Sequence, residues 1–198
     1  MPSVPHSRFP LLLAALLAAL PARAADTAGR YAVDGIGSQP CRAFTQAADD
    51  GAEPLIAAYG GWLGGFITAY NIHTPQTFDV TPWQTTELLL AKLDKHCRTF
   101  PDRPFVEAAG ALIATLQDAR LTEASELVSI RAGGRGVYLP RAELGRIAAA
   151  LAASGFPVAT AAGEFDPAFS DALMAFQAAR GLEKTGLPDQ NTLNALFP

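Results

Sequence analysis

The chain has 198 residues, 15 basic against 19 acidic, a formal net charge of −4, and a length that suits one or two small domains. This acidic balance gives no global attraction for nucleic acid or an anionic membrane surface. Abundant alanine and leucine at helical spacing predict a mainly α fold.

At the N-terminus Arg8 precedes an apolar run from Phe9 to Leu20, and Pro21-Ala22-Arg23-Ala24 follows. The run falls short of the ~20 apolar residues that cross a bilayer. A charged start, a short apolar core and an A-x-A end together predict a secretory signal peptide over residues 1–24. No cysteine stands at the predicted cut, so a lipid anchor is not expected there. Cleavage would leave a mature soluble periplasmic chain from Ala25, with net charge −6 and no membrane span.

The mature chain then begins with an irregular stretch to Pro40, followed by a short helix from Cys41 to about Asp49 that Gly51 ends. Pro54 opens a second helix to about Asn71, because proline suits a first helical turn. Leu55, Tyr59, Trp62, Phe66 and Tyr70 recur along it at helical spacing. Glycines 60, 61, 64 and 65 each weaken it by about 1 kcal/mol relative to alanine, which predicts close approach of a neighbouring helix. Thr81-Pro82-Trp83-Gln84 reads as a capping box for a third helix running to about Arg98, with Leu89, Leu93 and Cys97 on one stripe. Pro104 opens a fourth helix ending near Arg120, with Val106, Gly110, Ile113 and Leu116 or Gln117 facing inward.

Cys41 and Cys97 are the only cysteines. In an exported chain a lone pair predicts one structural disulfide. A redox pair would sit closer in sequence, as in C-x-x-C. A zinc site adding His73 and His96 lacks any ligand pair at the usual spacing. No cofactor or metal is therefore expected. Residues 25–122 read as a disulfide-stapled helical domain. Trp62-x-x-Gly65-Phe66-x-Thr68-Ala69-Tyr70-Asn71, with Cys97 before a proline-bounded helix, resembles the Hde-type small helical periplasmic proteins. That resemblance implies an acid-stress client as protein partner; the same fold outline also appears in periplasmic immunity proteins, which bind an incoming toxin.

Residues 123–139 read as a β-hairpin or extended linker, since alternation flanks Ala132-Gly-Gly-Arg-Gly136. Arg131, Arg135, Arg141 and Arg146 form a local basic stretch, read as a solvated face rather than an anion contact. Residues 140–198 form the last unit. Its first helix carries Leu144, Ile147 and Leu151 and stops at Gly155, with Phe156 folding back. Asp166-Pro167 caps and opens the next helix, with Phe169, Leu173 and Phe176 inward, and Gly181 stops it. Asp189 caps the last helix, with Leu193 and Leu196 inward.

Phe165, Ala172, Phe176-Gln177, Gly181-Leu182, Gly186, Thr192 and Leu196 follow in the order of the three-helix peptidoglycan-binding domain, and residues 163–196 resemble that family. The resemblance implies wall binding, with Phe165, Phe176, Gln177, Gly181, Leu182, Gly186 and Thr192 as the domain motif. The family's Asp-Gly-x-Phe-Gly becomes Ala162-Gly163-Glu164-Phe165-Asp166, its capping threonine Phe169, and its first-helix glutamine Ala148. The serines lack a G-x-S-x-G context, and Asp79, Glu87 and Asp94 read as a solvated face. Trp62, Phe66 and Tyr70 read as core. The chain is therefore expected to be a non-catalytic periplasmic protein that binds peptidoglycan. The alternative is a periplasmic protein-interaction module with a structural C-terminal domain.

Overall fold

A computed structural model describes residues 25, 26, 28–158 and 163–197. The predicted signal peptide lies outside them. The chain divides into two bodies, Met1–Ala32 and Val33–Pro198. In the first, the Asp26 carboxylate accepts hydrogen bonds from the amides of Ala28 (2.9 Å) and Arg30 (2.8 Å). All further description concerns the second body, which is mainly helical.

Four helices make up its first half: α1 (Cys41–Asp49), α2 (Glu53–His73), α3 (Thr86–Thr99) and α4 (Phe105–Leu116). Cys41 and Cys97 form the expected disulfide, with both residues 0% exposed. Around it pack Phe44, Tyr59 and Phe105, whose ring centroids lie 4.7–5.2 Å apart in tilted and edge arrangements. Leu63, Leu89 and Leu93 complete this core. The chain reverses after α1 because Gly51 takes φ +61°, which lets the Ala52 amide reach back to the Ala47 carbonyl (2.9 Å).

Several sequence expectations need correction here. The capping box at Thr81–Gln84 does not form. Thr85 caps α3 instead, its side chain accepting from the Leu88 amide (3.4 Å), while Thr81 bonds to Asp79. Burial of Pro82 and Trp83 holds that stretch outside the helix. Of the four α2 glycines only Gly60 meets a neighbour closely: a side-chain carbon added there would lie 3.1 Å from Thr86 Cγ2, while positions 61, 64 and 65 face open space. On α2, Leu55 of the predicted stripe is exposed, and Leu63 is the fully buried residue instead. The inner face of α4 is Phe105, Val106, Ala108, Ala109 and Ile113, and the chain passes into a 3-10 turn at Gln117–Ala119.

The second half opens with a two-stranded antiparallel hairpin, β1 (Leu127–Ala132) and β2 (Arg135–Pro140). Ala132 pairs with Arg135, and Gly133 and Gly134 take φ +56° and +78°, the left-handed pair that a two-residue turn of matching twist requires. This settles the hairpin-or-linker alternative. Then come α5 (Arg141–Ala153), α6 (Pro167–Ala179) and α7 (Gln190–Leu196). Their caps fall where the sequence places them: Asp166 accepts from the Phe169 amide (2.8 Å) and Asp189 from the Thr192 amide (2.9 Å). Both glycine stops close the same way. Phe156 reaches back to the Leu151 carbonyl and Leu182 to that of Gln177, each at 2.9 Å.

Leu144, Ile147, Leu151, Phe169, Leu173, Phe176, Leu187, Leu193 and Leu196 form the core of this half. Ile130 and Leu139 join it from the hairpin. Trp83 joins it from the loop before α3, 8% exposed and 5.9 Å from the Phe197 ring. The Gln190 amide clamps that loop, donating from Nε2 to the Trp83 carbonyl and accepting at Oε1 from the Thr85 amide (3.1 Å).

Candidate functional site

Gln177, Gly186 and Thr192 of the candidate motif meet at the turn between α6 and α7. Gln177 is 0% exposed, and its amide organises that turn. Its Oε1 accepts from the Gly186 amide (3.0 Å), and its Nε2 donates to Thr185 Oγ1 (2.9 Å), Thr192 Oγ1 (2.8 Å) and the Leu187 carbonyl (3.1 Å). Both threonine hydroxyls in turn donate to the Asp189 carboxylate, at 2.6 and 2.8 Å. Every polar group of this buried cluster thus has a partner, as burial demands.

Gly186 must be glycine twice over. Its φ is +66°, and an added side-chain carbon would lie 2.3 Å from Ser170 Oγ. Gly181 takes φ +67° to end α6, and Leu182 carries the chain back into the core beside it. Phe176 is fully buried, and Phe165 is half-buried against Phe169, with centroids 5.3 Å apart. Ala162, from the stretch preceding Phe165, lies outside the described residues. The structure therefore brings Gln177, Gly186 and Thr192 into one network, ends α6 at Gly181, and packs Phe165, Phe176 and Leu182 with the core.

Residues 141–196 match a family model described as "Putative peptidoglycan binding domain". The C-terminal part of the chain is thus a peptidoglycan-binding-like domain. No curated protein and no solved structure matches the chain.

Of the motif residues Phe176, Gln177, Gly186 and Thr192 are buried, Phe165 and Leu182 half-buried, and Gly181 lies at the surface of the peptidoglycan-binding-like domain. Two adjoining grooves run between β2 and the segment entering α7. One, of about 250 Å³, lies between Tyr138 and Leu139 on one side and Pro188, Leu193 and Trp83 on the other. The next, of about 400 Å³, extends past Gly136 to Arg135, Glu183 and Asn191. Gly136, Val137, Asp189 and Gln190 line both.

Sequence reasoning missed Glu143, which is 0% exposed. Burial pushes its carboxyl above the ordinary glutamate range; Arg146 opposes this by charge and hydrogen bonding, and the Asp79 charge adds to the rise. Arg146 Nη1 bonds both carboxylate oxygens (2.9 and 3.0 Å) and the Ala119 carbonyl (2.7 Å). The spacing Glu143-x-x-Arg146 is the signal that could have found this pair, since residues three apart share a helix face. Arg135 and Arg141 pair with Glu183 (2.7 Å) and Glu126 (2.9 Å), so three of the four basic residues are engaged within the protein. In the first half both cysteine sulfurs are committed to each other. Trp62 and Phe66 stack at 5.2 Å, and the indole donates to the Asp34 carbonyl (2.9 Å), so this pair is half-buried structure.

The network gives a direct test. Gln177→Leu keeps the volume and removes the amide, taking this partner from the Gly186 N–H and the Leu187 carbonyl, while both threonine hydroxyls keep Asp189. An unsatisfied buried group costs about 1–3 kcal/mol, and the turn partly relaxes, so the expected loss is about 2–3 kcal/mol in urea unfolding followed by circular dichroism. A midpoint equal to that of the parent protein would show that the amide does not hold the turn.

Proposed function

We propose that this is an exported, non-catalytic periplasmic protein that associates with peptidoglycan through its C-terminal domain. The observation that carries the reading is the family match over 141–196, on a scaffold whose Gln177–Gly186–Thr192 network is complete. Export is supported by the sequence of residues 1–24 and by a lone cystine, which suits an oxidising compartment. No helix among the described residues is long and apolar enough to cross a membrane. The non-catalytic reading is supported by the occupation of Glu143 by Arg146 and of Asp189 by two threonines, a structural use of both carboxylates.

Trp83, Ile130 and Leu139 belong to the C-terminal core, so the test uses the whole mature chain from Ala25 rather than a fragment. Mixed with purified sacculi and centrifuged, it is expected in the pellet, and enzymatic digestion of the wall is expected to release it. Full recovery in the supernatant overturns the reading. That outcome would favour a protein-interaction role for the first half, where Leu55, Ile72, Phe78 and Phe100 are 43–70% exposed.

A further inference from the structure

A separate cavity, of about 300 Å³, lies where the two halves of the second body meet. Lys92 of α3 and Leu116 of α4 line it from one half, Arg146 of α5 and Phe197 from the other. Trp83 and Gln84, in the loop before α3, close it. No aspartate or glutamate among the described residues lines it. Donors from three of these residues are unused. Lys92 has no ion pair or hydrogen bond with another described residue, and neither has the side-chain nitrogen of Gln84. Arg146 uses only Nη1, on the two Glu143 oxygens and the Ala119 carbonyl, and leaves Nε and Nη2 without a described partner. The buried Glu143 and the Phe197 ring, 5.5 Å from the guanidinium carbon, hold that group in place. A guanidinium fixed at one end keeps the two-donor edge that matches a carboxylate.

We propose that this cavity binds a small organic carboxylate, a monoanion on an apolar body. Charge decides for a monoanion. Counting the lining residues and their ion-pair partners, Glu143 balances Arg146 and Lys92 leaves one net positive charge. The walls at Trp83, Leu116 and Phe197 suit an apolar body rather than a bare inorganic ion. At roughly 30 Å³ for each water-sized group, the cavity holds a ligand of about ten non-hydrogen atoms. The carboxylate would take the free edge of Arg146 and the Lys92 ammonium, with the Gln84 amide as a further donor. The site makes no use of wall association, so either stands without the other.

The test titrates the mature chain with phenylacetate, a probe of that size and charge, and follows N–H groups by nuclear magnetic resonance. Saturable shifts are expected at millimolar probe at Arg146 Nε–H, the Gln84 side-chain amide and the backbone amides of Leu116 and Phe197. The uncharged phenylacetamide is expected to bind about tenfold more weakly, the loss of one hydrogen bond to a charged group. Phenyl phosphate is expected to bind more weakly too, because its second charge has no counterpart in the site. These comparisons use the unmodified protein, so they do not depend on a variant folding. Lys92→Gln is expected to weaken phenylacetate about tenfold. Lys95→Gln, on a lysine that lines only the adjoining groove, is expected to stay within about twofold. Neither lysine belongs to a core cluster, so both variants should fold. Arg146 is left in place, because its loss would strand the buried Glu143 charge. Absence of saturable shifts at those groups, equal binding of phenylacetamide, or tighter binding of phenyl phosphate overturns the proposal. So does equal binding of phenylacetate by a folded Lys92→Gln.

Discussion

Trp83→Ala is expected to lower stability by about 3–5 kcal/mol, the range for truncating a large buried aromatic side chain. Trp83 is 8% exposed and sits in the core built by α5, α6 and α7, although it precedes α3 in the chain. Its removal opens a cavity bordered by Phe197 and frees the loop whose backbone Gln190 clamps from both sides. The loss should therefore appear far away in sequence. Hydrogen exchange is expected to show faster opening of α5–α7, with α1 and α2 less affected. If α5–α7 keep their protection while total stability falls, the tryptophan supports only its own half. Gln190→Ala in the same assay separates the clamp from the ring. It removes two hydrogen bonds and no buried aromatic surface, so a smaller loss, about 1–2 kcal/mol, is expected.

Trp83 also shows where sequence reading stops. Helical period identifies an apolar face but not the neighbour that covers it, so the sequence pattern puts Trp83 in a capping box while its burial belongs to the other half. Local chemistry is easier to read. Asp166 and Asp189 cap the helices they precede, and Gly51, Gly155 and Gly181 stop the helices they follow, because these effects act within about five residues. The glycines of α2 divide along the same line. Their cost to the helix is local, but only Gly60 has a neighbour close enough to explain it. In the candidate site, the residues resembling the peptidoglycan-binding family are visible in the sequence, but their inward roles are not. The Gln177 amide serves partners 8 to 15 residues away across a turn, a distance at which spacing reveals nothing. The groove beside β2 is still less visible. Alternation predicts a hairpin, but only the three-dimensional placement of Pro188–Gln190 beside it makes a groove.

Removing the disulfide with Cys41→Ala and Cys97→Ala together is expected to cost about 4 kcal/mol. The cysteines are 56 residues apart, and loop-closure entropy for a ring of that size gives about 4 kcal/mol. The cross-link is not the sole tie across this ring. The Cys41 amide donates to the Arg103 carbonyl and the Phe105 amide to that of Gln39, both at 2.8 Å. These bonds hold the start of α1 against the loop between α3 and α4, so the native arrangement survives loss of the sulfur bridge. What changes is the freedom of the unfolded chain, which places the effect on the unfolding equilibrium rather than on native packing. The variant is accordingly expected to keep the parent's circular dichroism while its urea midpoint falls steeply. Neither cysteine belongs to the core of the second half, so α1–α4 should lose amide protection first. A double variant with unchanged unfolding free energy would mean that the Gln39–Arg42 and Pro101–Phe105 backbone bonds, not the cystine, set the stability of this domain.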